Sequence, residues 1–117
     1  GDGSEAFDFV AVEDCAYANI CAMKSEATDS FYNVGTGIRT SLKELAEILI
    51  SLTNSNTQIE YKKRDQATFV KNRIGCPLKA EDEIGFEAQI KLKGGLERLI
   101  KWRLNHKKEV ELRRLDE

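Results

Sequence analysis

The residues best able to do chemistry fall in four short clusters. Lys62-Lys63-Arg64-Asp65 sets three cations beside a carboxylate. Cations so grouped can hold a diphosphate while the carboxylate accepts from a sugar hydroxyl; a solvated loop has the same composition. Arg73, in Lys71-Asn72-Arg73, is a second candidate of that kind. Gly35-Thr36-Gly37 lies between an apolar run and a helix signal, where turn amides and a helix N-terminus can face an anion. A tight turn alone explains those glycines equally well. His106 is the only histidine, so a Ser-His-Asp triad would have to use it, yet it sits in the charged sequence Asn-His-Lys-Lys.

Several chemistries find no support. The residues four beyond Tyr17, Tyr32 and Tyr61 are Cys21, Thr36 and Asp65, so no Tyr-x-x-x-Lys pair places a phenol and an ammonium on one helical face. Cys15, Cys21 and Cys76 are odd in number and lack Cys-x-x-Cys spacing; they read as free, mostly buried thiols in a reducing compartment. A zinc site would need more than the one distant histidine. Gly1 to Ala6 fits the letters of a dinucleotide-binding G-x-G-x-x-A, but that motif follows a strand and opens a helix. Here a strand follows, so the glycines read as a turn. A net charge of −2 argues against nucleic acid as a partner. No apolar run approaches the roughly 18 residues of a membrane-spanning helix. A cytoplasmic location is expected. The opening Gly1-Asp2-Gly3-Ser4-Glu5, without initiator Met or signal-peptide pattern, suggests a piece of a larger protein.

The elements that must position these residues follow from local patterns. Phe7 to Val12 is β-prone apart from Asp8 and predicts a strand. Asp14 then suits the N-cap of an Ala-rich helix with Ala18, Cys21 and Ala22 on one face. Phe31 to Val34 predicts a second strand. Ser41-Leu42-Lys43-Glu44 is a capping box, and Leu42, Leu45, Ala46, Leu49 and Leu52 keep helical spacing behind it. Gln58 to Lys62 alternates as a third strand would. Pro77 opens a short helix that Gly85 closes. Gly94-Gly95 opens a longer one striped by Leu96, Leu99, Ile100 and Leu104, and the highly charged sequence from Asn105 onward should project or fray.

Taken in order, these segments resemble the extended short-chain dehydrogenases/reductases. Gly1-Asp2-Gly3-Ser4, Asp8-Phe9-Val10 and Val12-Glu13-Asp14 are similar to the G-D-G-x-x-x-R-D-F-x-x-V-x-D stretch of that family. Phe31 to Gly37 with Thr40 to Leu45 resembles the next strand-turn-helix. Lys79-Ala80, Ile84-Gly85-Phe86, Gly95-Leu96 and Ile100-Lys101-Trp102 resemble the closing segments. The resemblance runs from Gly1 to about Arg103. It implies an NAD-dependent nucleotide-sugar epimerase or dehydratase that oxidises its sugar transiently. The NAD-binding Rossmann half and its catalytic residues would lie outside this chain, so the resemblance transfers no catalytic residue. It implies substrate contacts at Phe7 and Phe9, at Lys62 or Arg64, and at Asp65. The family's diphosphate-binding Arg is replaced by Phe7, and a phenyl ring cannot pair with a phosphate.

The expectation is therefore α/β: a small three-stranded, partly parallel sheet with three to four helices, the substrate-binding portion of a Rossmann-type enzyme. Residues 1–104 would form that portion and 105–117 a charged extension. The expected partner is a nucleoside-diphosphate sugar, with no nucleic acid or membrane, NAD bound outside the chain, and a homodimeric parent. Self-association through an open sheet edge is expected of the piece. The alternative is a non-catalytic interaction module that docks a partner through Leu104, Val110, Leu112 and Leu115.

Overall fold

The first two helices of the chain begin in different ways. The computed structural model describes residues 1–62 and 71–115, the last two by backbone only. After strand β1 (Ala6–Phe7), α1 runs Val12–Lys24 from Ala11, which is extended and provides no side-chain cap. Glu13 and Asp14 in the first turn and Lys24 in the last complement the helix dipole. Asp14 thus lies inside the helix rather than at its N-cap. Strand β2 (Thr40–Ser41) leads directly into α2, Leu42–Thr53, which has the full capping box. Ser41 Oγ accepts from the Glu44 amide at 3.1 Å, and the Glu44 carboxylate accepts from the Ser41 amide at 2.7 Å. The Ser41 hydroxyl and amide hold the Glu44 carboxyl below its ordinary pKa. Asn54, left-handed at φ 50°, ends the helix.

Strand β3 is Asn72–Arg73. Helix α3, Leu78–Ile84, starts after Pro77 and ends on left-handed Gly85 at φ 66°, as the sequence predicts. Helix α4 spans Leu92–Asn105, beginning two residues before Gly94, so the glycine pair lies within its first turn. A break at His106 separates α4 from α5, Lys107–Leu115. Glu97 and Lys101 have i,i+4 spacing but close no ion pair; Arg98 reaches Glu13 of α1 at 3.7 Å instead.

The sheet is mixed, in order β2-β1-β3. β1 pairs antiparallel with β2, Ala6 opposite Ser41 and Phe7 opposite Thr40. It pairs parallel with β3, Ala6 beside Asn72 and Phe7 beside Arg73. The α/β class and a partly parallel three-stranded sheet hold, but two strands differ from the sequence prediction. Phe31 to Val34 and Gln58 to Lys62 form no strand, and only Phe7 of the run 7–12 does. Strand propensity acts through neighbours, and residues 40–41 and 72–73 fill both flanks of β1. The segment at 31–32 is instead tied to α3: Lys79 donates to the Phe31 carbonyl at 3.2 Å and Tyr32 to Glu83 at 2.7 Å.

The core is small. Ala18 and Cys21 of α1 pack on Ala80 and Ile84 of α3 and on Phe86, with Tyr32 and Ala88 alongside. Phe86 is fully buried, and a phenyl ring so placed contributes about 1.5–3 kcal/mol. The Cα radius of gyration is 17.2 Å, against about 13 Å for a compact domain of this length. Accessible surface is 9496 Å², against about 6,400 Å² for a compact monomer of this mass. Apolar side chains account for part of that surface, among them Val12 and Met23 on α1 and Leu99, Trp102 and Leu104 on α4. Ala22 is exposed as well, so only Ala18 and Cys21 of the expected α1 face are buried. The cysteines are free thiols; Cys21 is buried, Cys15 partly so, and Cys76 is exposed, contrary to the expectation of mostly buried thiols.

Candidate functional site

A hollow of 360 Å³ opens between the loop after β1, the turn at 35–40, and the segment 87–92 before α4. Phe9, Thr36, Thr40 and Ile90 line it, together with Glu81, Glu87 and Lys91. Two internal carboxylates fix its walls. Asp8, directly after β1, accepts from the Thr36 amide at 3.0 Å, the Thr36 hydroxyl at 2.5 Å and the Gly37 amide at 2.9 Å. Asp14, 2% exposed, accepts from the Gln89 and Ile90 amides, each at 3.0 Å. A buried carboxylate is tolerated only with such donors, and each set of bonds joins segments far apart in the chain.

The glycines of the turn follow from the first clamp. A Cβ at Gly35 would collide with the Asp8 carboxylate, and Gly37 is left-handed at φ 72°. The anion that the Thr36 and Gly37 amides face is therefore the chain's own Asp8. Sequence reasoning named this turn but missed its partner, and it missed the Asp14 clamp by taking that residue for a cap. The available signal was a charged residue, Asp8, within an apolar run.

The sequence candidates separate in space. Phe7 and Phe9 meet edge to face, ring centroids 6.1 Å apart, and Phe9 reaches the hollow. Lys62 does not: it lines a different depression with Gly3, Lys43 and Tyr61. Its ammonium lies 3.6 Å from Glu60, and its carbonyl accepts from the Gly1 nitrogen at 2.6 Å. Arg64 and Asp65 lie outside the described residues. Arg73 stands on β3 beside Phe7. His106 stacks on Trp102 at 4.7 Å with its Nδ1 2.8 Å from the Trp102 carbonyl, a helix-end contact far from any triad. Among the described residues no group of three His, Cys, Asp or Glu could hold a metal ion, and no helix is long and apolar enough to cross a membrane.

No protein-family model matches the chain. A protein of Methanocaldococcus jannaschii assigned as a UDP-glucose 4-epimerase is 32% identical over 91% of this chain and 33% of its own length. The dTDP-glucose 4,6-dehydratase of Haemophilus influenzae is 31% identical over 89% of this chain and 34% of its own. Over about nine-tenths of its length the chain is similar to nucleotide-sugar epimerases and dehydratases. The fold agrees: the enzyme WbmF of Bordetella bronchiseptica, solved with NAD+ and UDP, matches 96% of this chain with 32% of its own. The TM-score there is 0.81 at 29% identity. The chain spans about a third of the length of the epimerases and dehydratases it matches.

The segments that carry the epimerase resemblance are mostly architectural. Asp8 and Asp14 of the first segment are the two clamps. Lys79 lies 5.0 Å over the Tyr32 ring, and Ala80, Ile84 and Phe86 form the core. The Glu83 carboxylate, hydrogen-bonded to the Tyr32 hydroxyl, raises that phenol above its ordinary pKa.

Proposed function

We propose that this chain forms the nucleotide-sugar-binding part of an NAD-dependent epimerase or dehydratase that acts by transient sugar oxidation. One observation carries the reading: the segments matching epimerases fold into two carboxylate clamps that hold open a hollow with an aromatic wall at Phe9. The Phe9 ring offers an apolar surface to a base or sugar ring, and Glu81 and Glu87 offer acceptors to sugar hydroxyls. The chain's part is to bind and orient.

The described residues do not fit NAD itself. The amides of Thr36 and Gly37 are committed to Asp8, and the glycines at the N-terminus lead into a strand rather than a helix. No residue here is assigned to the cofactor, and the redox chemistry belongs to protein outside this chain. The expected homodimeric, cytoplasmic parent forms part of the same proposal, and sedimentation of the intact protein tests its dimeric state.

The binding test uses the intact protein that contains this chain, titrated with UDP and UDP-glucose and followed by amide NMR. Shifts at Phe9, Thr36, Gln89 and Ile90 are expected. Saturating ligand that leaves all four amides in place would sink the reading.

A further inference from the structure

Independently of the nucleotide-sugar reading, we infer that helices α4 and α5 form a docking arm for an anionic lipid surface. The chain's net charge of −2 conceals a division. Residues 92–113 carry seven Lys or Arg against three Glu, so this arm is basic and the rest of the chain is acidic. Arg98 is committed to Glu13 of α1 at 3.7 Å. Lys93, Lys101, Arg103, Lys107, Lys108 and Arg113 are exposed and pair with no carboxylate among the described residues. The expectation of no membrane partner came from the lack of a spanning run, which a helix lying on the surface does not need.

An apolar stripe runs among these cations. Leu99, Trp102 and His106 are spaced by three and four, so they follow one another along one side of α4. The His106 ring stacks on Trp102, centroids 4.7 Å apart, in keeping with that spacing. Leu99 and Trp102 are exposed, as is Leu112 on α5. Arg103, four residues after Leu99, flanks the stripe. An indole and leucines beside unpaired cations suit the boundary of a bilayer, with the rings at headgroup depth and the cations toward the phosphates. Shape favours a flat partner over a peptide. Helix α5 packs chiefly on α4, and the molecule reaches 49 Å along its longest axis. The groove lined by Leu52, Ile100 and Leu104 opens on another side of α4, since residues two apart on a helix do not face the same way. The Trp102 side is therefore a ridge, and a plane of phosphates can accept from cations anywhere along it.

The test is flotation of the intact protein that contains this chain with two kinds of vesicle, phosphatidylcholine alone and phosphatidylcholine with about one-third phosphatidylglycerol. Wild type is expected to float with the anionic vesicles only, and to be released at about 0.5 M salt. Lys107→Gln together with Lys108→Gln should weaken that partition about 10- to 30-fold, the headgroup attraction of two cations. Trp102→Ser should weaken it about 10-fold through lost apolar burial. Lys24→Gln, on α1, should leave it unchanged. Thermal unfolding of each variant separates loss of docking from loss of fold; should Trp102→Ser unfold, the lysine pair decides. The inference is overturned if wild type floats with both vesicles alike or with neither, or if the lysine pair or a folded Trp102→Ser floats as wild type does. Capture by polyglutamate without flotation would assign the arm to an acidic protein and overturn it equally.

Discussion

The two ends of the chain bury their groups in opposite ways. Around the hollow, polar side chains are satisfied inside the protein: Asp8 and Asp14 together receive five donors, and the turns and strands they join are otherwise short. Along α4 and α5 the apolar side chains of Leu99, Trp102, Leu104 and Leu112 remain exposed, and the helices are held by few contacts to the rest. The first region owes its shape to directional bonds between distant segments. The second owes its shape to helix propensity and local pairs. A substitution should therefore act strongly and specifically near the hollow and weakly along the C-terminal helices.

The largest effect is expected at the core beneath the hollow. Phe86→Ala removes its fully buried ring and should cost about 3–5 kcal/mol, measured by chemical unfolding. A loss below about 1 kcal/mol would mean that α1 and α3 pack without it. Next comes the clamp itself. Asp14→Ala strands the Gln89 and Ile90 amides and should cost about 1.5–3 kcal/mol. Hydrogen exchange should accelerate at those two amides before it does in α2; uniform acceleration would remove the special place given to the clamp.

Ser41→Ala sharpens the contrast from the α2 side. Loss of the cap should cost about 1 kcal/mol. The Glu44 carboxyl is held below its ordinary pKa by Ser41. Its contribution is therefore present above the unfolded carboxyl value and is lost as pH falls through the lower folded value. Acid titration of stability should show less of this loss in Ser41→Ala than in wild type; identical pH profiles would refute the coupling. The smallest effect belongs to Leu112→Ser, on an exposed face of α5, expected to change stability by no more than about 0.5 kcal/mol. A large loss there would show that the C-terminal helices are closed by contacts of their own, and the contrast would break.

Local signals were read well where they were self-contained. The capping box at Ser41 and Glu44, the Leu periodicity of α2, and the Pro77 and Gly85 bounds of α3 all appear in the fold, because each depends on residues within a few positions. Phe31 to Val34 and Gln58 to Lys62 misled because a strand needs an open neighbour, and β1 had both sides occupied by other residues. Of the site candidates, Phe9 reaches the hollow, Lys62 lines another depression, and Arg64 and Asp65 lie outside the described residues. Arg73, a candidate from its charged neighbourhood, is placed by the sheet beside Phe7.

The sequence by itself determined the α/β class, the helices with their caps and the resemblance to nucleotide-sugar enzymes, since short motifs in fixed order carry all three. Tertiary structure alone decided that Asp8 and Asp14 are clamps, that the Gly35-Thr36-Gly37 amides are already occupied, and that Arg73 stands beside Phe7. The reason is physical: a carboxylate 28 residues from its donor, as Asp8 is from Thr36, or 75 residues, as Asp14 is from Gln89, leaves no local trace of which donors it will meet.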